Sequence, residues 1–173
     1  MPNIIKNRAV VADDWNVLRL VEGEMPEAVE VPAGKVVVPL AVWQAQKEKL
    51  QARAELAVWF PSDGRPEEVK DDLNRFVFIA VDFPKFTDGR GYSIAFLLRD
   101  RLGYKGELRA IGDVLKDQLF YMQRVGFDSF AVRADKDIND ALKGLSDFTE
   151  PYQNSWDRKS PLFGRVKRTG LAA

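Results

Sequence analysis

The chain has 173 residues, 46% hydrophobic and 30% charged, with 26 Lys plus Arg against 26 Asp plus Glu; that is enough for one domain with a proper core. The balanced charge argues against a general nucleic-acid binder, whose affinity comes largely from phosphate neutralisation. Cysteine and histidine are both absent, which excludes disulfides, thiol chemistry, Cys-ligated clusters, a Ser–His–Asp triad and the commonest metal ligand.

The opening "MPNIIKNRAVVADDW" lacks a signal peptide's apolar stretch and cleavage site. No apolar run approaches the roughly 20 residues that span a bilayer. A cytoplasmic protein, not bound to membrane or nucleic acid, is expected. Residues 1–35 are irregular in pattern; "AVVADDW" and "VLRLVEG" suggest two short strands, paired as a hairpin. "KVVVP" is a short strand or the lead into a helix. "LAVWQAQKEKLQAR", from Leu40 to Arg53, is built of good helix formers with Leu40, Trp43 and Leu50 near one face. A strand follows at Leu56 to Phe60, then a turn, then a helix starting at Pro66 with Glu67 and Glu68 at its positive end.

"FVFIAV", Phe76 to Val81, is continuously apolar and reads as a strand covered on both faces. The loaded connection "FPKFTDGRGYS" leads to a helix with Ile94, Leu97, Leu98 and Leu102 at helical spacing, capped by Ser93 and ended by Gly103. "ELRAIGD" supplies a strand near Leu108 to Ile111. Asp113 is placed as N-cap of the next helix, which Gly126 ends. "FAVR", Phe130 to Arg133, is the last strand, and Asp135 or Asp137 caps the last helix.

Strand then helix thus recurs four times, which predicts an α/β fold of about four βα units. They would form a parallel sheet flanked by helices, as an open Rossmann-like sheet or a partial TIM-type barrel. Residues 1–150 form the domain, with 1–35 as an N-terminal extension. Residues 151–173 form an irregular tail carrying Arg158, Lys159, Arg165, Lys167 and Arg168.

Parallel α/β folds collect ligands beyond the carboxyl ends of their strands. Asp82, Lys85, Thr87, Asp88, Arg90, Asp113 and Arg133 all follow strands and should share one edge. Gly89-Arg90-Gly91 before a helix can turn backbone N–H groups toward an anion, with Arg90 and Lys85 adding charge and Ser93 capping beneath. The same residues are also ordinary turn chemistry. No phosphate-loop pattern is present, and "GRGYSI" lacks the third glycine of a dinucleotide fingerprint, although Asp113 sits where a ribose-binding acid would. Asp82, Asp88 and Asp113 are an oxygen-ligand set only if they leave their simpler turn and cap roles, so no metal is expected. Tyr92, Tyr104 and Tyr121 are proton donors or packing residues; Trp43 and Trp59 belong to the core.

The block "IAVDFPKFTDGRGYSIAFLLRDRLGYKGELRAIGDVLKDQLFYMQRVGFDSF", with "VVVPLAVWQA" before it and "DFTEPYQ" after it, resembles a bacterial family of unknown function. The resemblance runs roughly from Val36 to Gln153. Members are described as oxidoreductases involved in sulfite reduction, encoded beside sulfite reductase in cysteine-biosynthesis clusters. It implies an accessory protein of assimilatory sulfite reduction, with sulfite reductase as partner. Many members carry cysteine where this chain has Val125, so thiol redox is not implied here. The alternatives are a cofactor-dependent oxidoreductase, with a nucleotide or flavin at the strand ends, and a non-catalytic scaffold of sulfite reductase. The resemblance names no catalytic residue, cofactor or oligomeric state.

Overall fold

Eight short runs become strands of one sheet in the computed structural model, which describes residues 2–165. They are β1 (Asn3–Lys6), β2 (Ala9–Ala12), β3 (Asn16–Val17), β4 (Val36–Pro39), β5 (Leu56–Phe60), β6 (Phe78–Phe83), β7 (Glu107–Gly112) and β8 (Ser129–Phe130). Their order in space is β2-β1-β8-β7-β6-β5-β4-β3. Every neighbouring pair from β3 to β8 is parallel, with Val58 opposite Ile79, Ala80 opposite Arg109 and Ala110 opposite Phe130. β1 runs antiparallel to β8 and to β2.

The α/β class holds, but the sheet is not four parallel units. The tight Asn7-Arg8 turn makes β1 and β2 an antiparallel hairpin, and β3 and β4 extend the other side. The hairpin expected from "AVVADDW" and "VLRLVEG" does not form, because Leu18 N–H bonds Val37 O and β3 pairs with β4. The run from Pro66 makes only short 3-10 turns, Pro66–Val69 and Leu73–Arg75, in which Val69 and Leu73 are the buried nonpolar anchors besides Pro66. The last helix starts as expected on Asp137, whose carboxylate accepts from Asn139 and Asp140 N–H.

Strands β4 to β8 follow one another both in sequence and in space, so right-handed crossovers all pass over one face. The helices α1 (Leu40–Leu50), α2 (Arg90–Phe96), α3 (Lys116–Val125) and α4 (Ile138–Lys143) bury there. Trp43, Ile94, Leu119, Met122 and Ala141 join Val58, Ile79, Val81, Leu108 and Phe130 in the main core. The alternate strand residues Val37, Ala57, Phe78, Ala80 and Ile111 face the other way, and the hydrophobic residues packed on them are Trp15, Val17, Trp59 and Ala131, none of them helical.

That second face is the inside of a curl. β2 and β3 lie at opposite ends of the sheet, yet only residues 13–15 join them. Laid flat, eight strands would separate the outer two by about 34 Å. The joining chain reaches about 14 Å at full extension. The two edges must therefore come together. Asp13 N–H bonds Pro2 O beside β1, and Asn16 N–H bonds Lys35 O beside β4, so one segment serves both edges. This is nearer to the partial barrel than to the open sheet.

Charge is buried inside the curl. Arg109 on β7 donates to Asp13 at 3.0 Å and to Glu107 at 2.8 Å, and its guanidinium lies 3.8 Å from the Phe78 ring centre. Glu107 also takes Lys6 at 2.6 Å. Burial raises the Glu107 carboxyl, but the Lys6 and Arg109 bonds and charges outweigh it and hold it below its ordinary value.

Residues 151–165 return to the body. Arg124 donates to Gln153 O, Trp156 stacks 5.2 Å from the Arg99 guanidinium, and Lys159 pairs with Asp100. A short helix, α5 (Leu162–Arg165), ends the described chain; Lys167 and Arg168 of the expected basic tail lie outside the described residues. Among the described residues no helix is long and apolar enough to cross a membrane.

Replacing Arg109 by Ala leaves two carboxylates in the curl without their shared partner. Urea unfolding should show a loss of about 3 kcal/mol. A loss below about 1 kcal/mol would mean that this ion cluster does not hold the edges together.

Candidate functional site at the strand ends

Three loops meet above the carboxyl ends of β6, β7 and β8, as parallel topology requires. Asp113 joins them: its Oδ2 accepts from Phe86 N–H at 2.8 Å, and its Oδ1 accepts from Arg133 at 2.7 Å. Gln118 Nε2, on α3, donates to Phe86 O at 3.3 Å. Both backbone groups of Phe86 are thus held, while its side chain is 47% exposed.

The cations expected to hold an anion are mostly occupied. Arg90 grips Asp88 as a fork, Nε to Oδ1 at 3.0 Å and an NH2 to Oδ2 at 2.7 Å. That pairing holds the Asp88 carboxyl far below the usual range. Arg133 bonds Asp113 and forks onto Asp135 at 2.6 and 3.1 Å. Lys85 is exposed and makes no ion pair among the described residues.

The expected caps and glycine roles differ from those observed. α2 begins at Arg90 with Gly89 as N-cap, so Ser93 lies inside the first turn and does not cap it. Gly89 has φ of −86°, and an added Cβ would meet nothing closer than 3.8 Å, so the loop does not require glycine there. At Gly91 a Cβ would stand 2.7 Å from the Phe83 ring, so this glycine serves packing. Asp113 is not a cap because α3 starts at Lys116, and Gln118 Oε1 accepts the Leu115 N–H instead.

Asp82 lies within β6, not after it, and points into the curl with Phe78 and Ala80. It pairs with Arg19 at 2.7 Å; Arg19 in turn stacks 5.2 Å from Trp59, whose Nε1 donates to Leu18 O. Asp82, Asp88 and Asp113 therefore go to three different arginines, and among the described residues no three acidic groups come together as a metal set. Trp59 is half-buried at the rim of the second cluster and does not join the main core. Burial pushes the Tyr92 and Tyr104 phenols up, so both stay protonated; Tyr104 donates to Glu107 O.

Sequence reasoning missed Arg19, Phe86 and Gln118. Alternation along "FIAVDF" carries a signal for Asp82, since positions 78, 80 and 82 share a face. Nothing local marks Arg19, whose partner is 63 residues away.

A family model for a bacterial protein of unknown function (DUF934) matches residues 57–163. No curated protein and no solved structure matches the chain.

Pairing with Arg133 lowers the Asp135 carboxyl from 3.8 to about 2. A depressed carboxylate adds stability above its unfolded value and loses it as pH falls through its folded value. The Arg133 tie should thus be complete above about pH 4 and fade near pH 2. Carboxyl chemical shifts should titrate Asp135 near 2, and in Arg133→Gln higher, toward 3.8, with Lys136 still holding it partly down. A midpoint near 3.8 in the unaltered protein would show Arg133 to be free.

Proposed function

Since the chain belongs to this family of bacterial proteins of unknown function, and its central block resembles proteins of sulfite reduction, we propose that it is an accessory protein of assimilatory sulfite reduction. It works by docking on sulfite reductase through the loop that carries Lys85 and Phe86. The carrying observation is Phe86: an exposed aromatic side chain on backbone clamped by Asp113 and Gln118. Interface energy concentrates in such aromatic anchors, and a loop already ordered loses little entropy on binding. Lys85 beside it offers an uncompensated charge, which suits an acidic, partly apolar patch.

A small oxyanion fits the same loops less well. It would have to displace Asp88 from Arg90, or Asp113 and Asp135 from Arg133. Lys85 alone remains, exposed to water, where a single ion pair is worth about 0–1 kcal/mol.

Purified sulfite reductase from the same organism should bind the protein, and Phe86→Ala should weaken binding by about 2 kcal/mol, with its melting temperature unchanged. Lys85→Glu should slow association in low salt. Equal binding by all three proteins would remove the docking loop. A melting shift with sulfite, sulfate or phosphate, near 2.7 kcal/mol at about 100 times Kd and lost in Arg90→Ala, would favour the small anion instead. Deletion of the gene should block growth on sulfite and be rescued by sulfide; normal growth on both would remove the pathway assignment.

A further inference from the structure

At the opposite ends of the strands, where β1 turns into β2, Asn7 and Arg8 both hold left-handed backbone, with φ of 49° and 64°. Asparagine tolerates that region; the second position of such a turn favours glycine, and arginine there is strained. The strained turn sets Arg8 in the wall of a cavity of about 360 Å³, between the hairpin, the end of α3 and the returning C-terminal segment. The volume is in the range of small-molecule sites.

Arg8 is poorly compensated. Its Nε donates to the neutral Gln123 side chain at 3.1 Å, and it makes no ion pair among the described residues. The carboxylates nearby are already committed: Asp128 to Arg99 at 2.8 Å, and Asp157 to Arg124 at 3.4 Å. The wall also carries Asn7 and Arg99, and its apolar part is Phe127 and Phe130, both buried, Leu145, and half-buried Trp156. Trp156 is held by its stack on Arg99, which is itself fixed by bonds to Gly126 O, Tyr104 O and Gly106 O. A second cavity of about 300 Å³ continues past Arg8 toward Phe120 and Phe148.

We propose that this cavity binds a small organic anion with an aromatic body, its charge held by Arg8 and its ring laid against Trp156. Arg8 is exposed and lines both cavities; what marks the site is left-handed backbone kept at a cation whose acidic neighbours are already paired, beside an aromatic wall that adds contact a lone surface cation lacks. The site is separate from the docking loop and does not depend on it.

Naphthalene-2-sulfonate is the probe, titrated by calorimetry into the full chain. Saturable one-site binding is expected, at least about tenfold weaker in Arg8→Gly and in Trp156→Leu, and largely kept in Arg8→Lys. Inorganic sulfate at the same concentration should give no heat. Arg8→Gly should melt at the same or a higher temperature, because glycine relieves the left-handed backbone; loss of binding then cannot be loss of fold. Phe86→Ala and Arg90→Ala should bind the probe unchanged. No saturable binding, equal affinity in Arg8→Gly, or equal binding of inorganic sulfate would overturn the proposal.

Discussion

The three residues Asp13, Asp14 and Trp15 join strands at opposite ends of an eight-stranded sheet, and the rest of the fold follows from that short bridge. The sheet must curl, and its inner face must be filled by the bridge itself. Trp15 meets Phe78 edge-on at 4.8 Å, and Asp13 reaches Arg109. An arginine buried there is tolerable because it has two carboxylates and an aromatic face, so its desolvation is matched by charge and by π contact. The segment from Ala9 to Val17 supplies both edge strands, β2 beside β1 and β3 beside β4, and each is short, which limits the bare edge it offers.

Winding in one sense places all four main helices outside the curl and every βα loop on one rim. Proximity on that rim brings opposite charges together, and they pair. Arg90 finds Asp88 two residues away, and Arg133 finds both Asp113 and Asp135. These pairs stiffen the rim more than they charge it. Phe86 is left exposed on fixed backbone, and the proposed docking role rests on that observation. The opposite end of the strands has the reverse balance: there the acids are occupied, and Arg8 bonds neutral Gln123 and makes no ion pair among the described residues.

The strands β5, β6 and β7, the helices α1 and α3 and the left-handed glycine at Gly126 were legible because each follows from local chemistry: apolar runs, helix formers, a residue without Cβ. The gathering of Lys85, Asp88, Asp113 and Arg133 was legible from alternation of strands and helices alone. Their condition was not. Whether Arg90 is free or paired depends on the rotamers of two side chains in a turn, and Gly91 looks like an anion cradle until the ring of Phe83 is seen beneath it. Ser93 looked like a cap because the apolar spacing begins at Ile94, but the helix starts four residues earlier, at Arg90, beside the closely packed Gly91.

By itself the sequence determined the α/β class, the order of the main strands and helices from Val36 onward apart from the helix expected at Pro66, the absence of thiol and imidazole side chains, and, Asp82 excepted, the site residues that stand after the strands. These depend on composition and on periodicity within a few residues. Only the tertiary structure decided that the sheet curls, that β1 and β2 complete it in the antiparallel sense, and that the rim's arginines are paired with acids while Arg8, among the described residues, is not. Those outcomes rest on contacts between segments far apart in the chain, such as Asp13 with Arg109 and Arg19 with Asp82, where chain connectivity and the cost of leaving a buried charge unpaired select the partner.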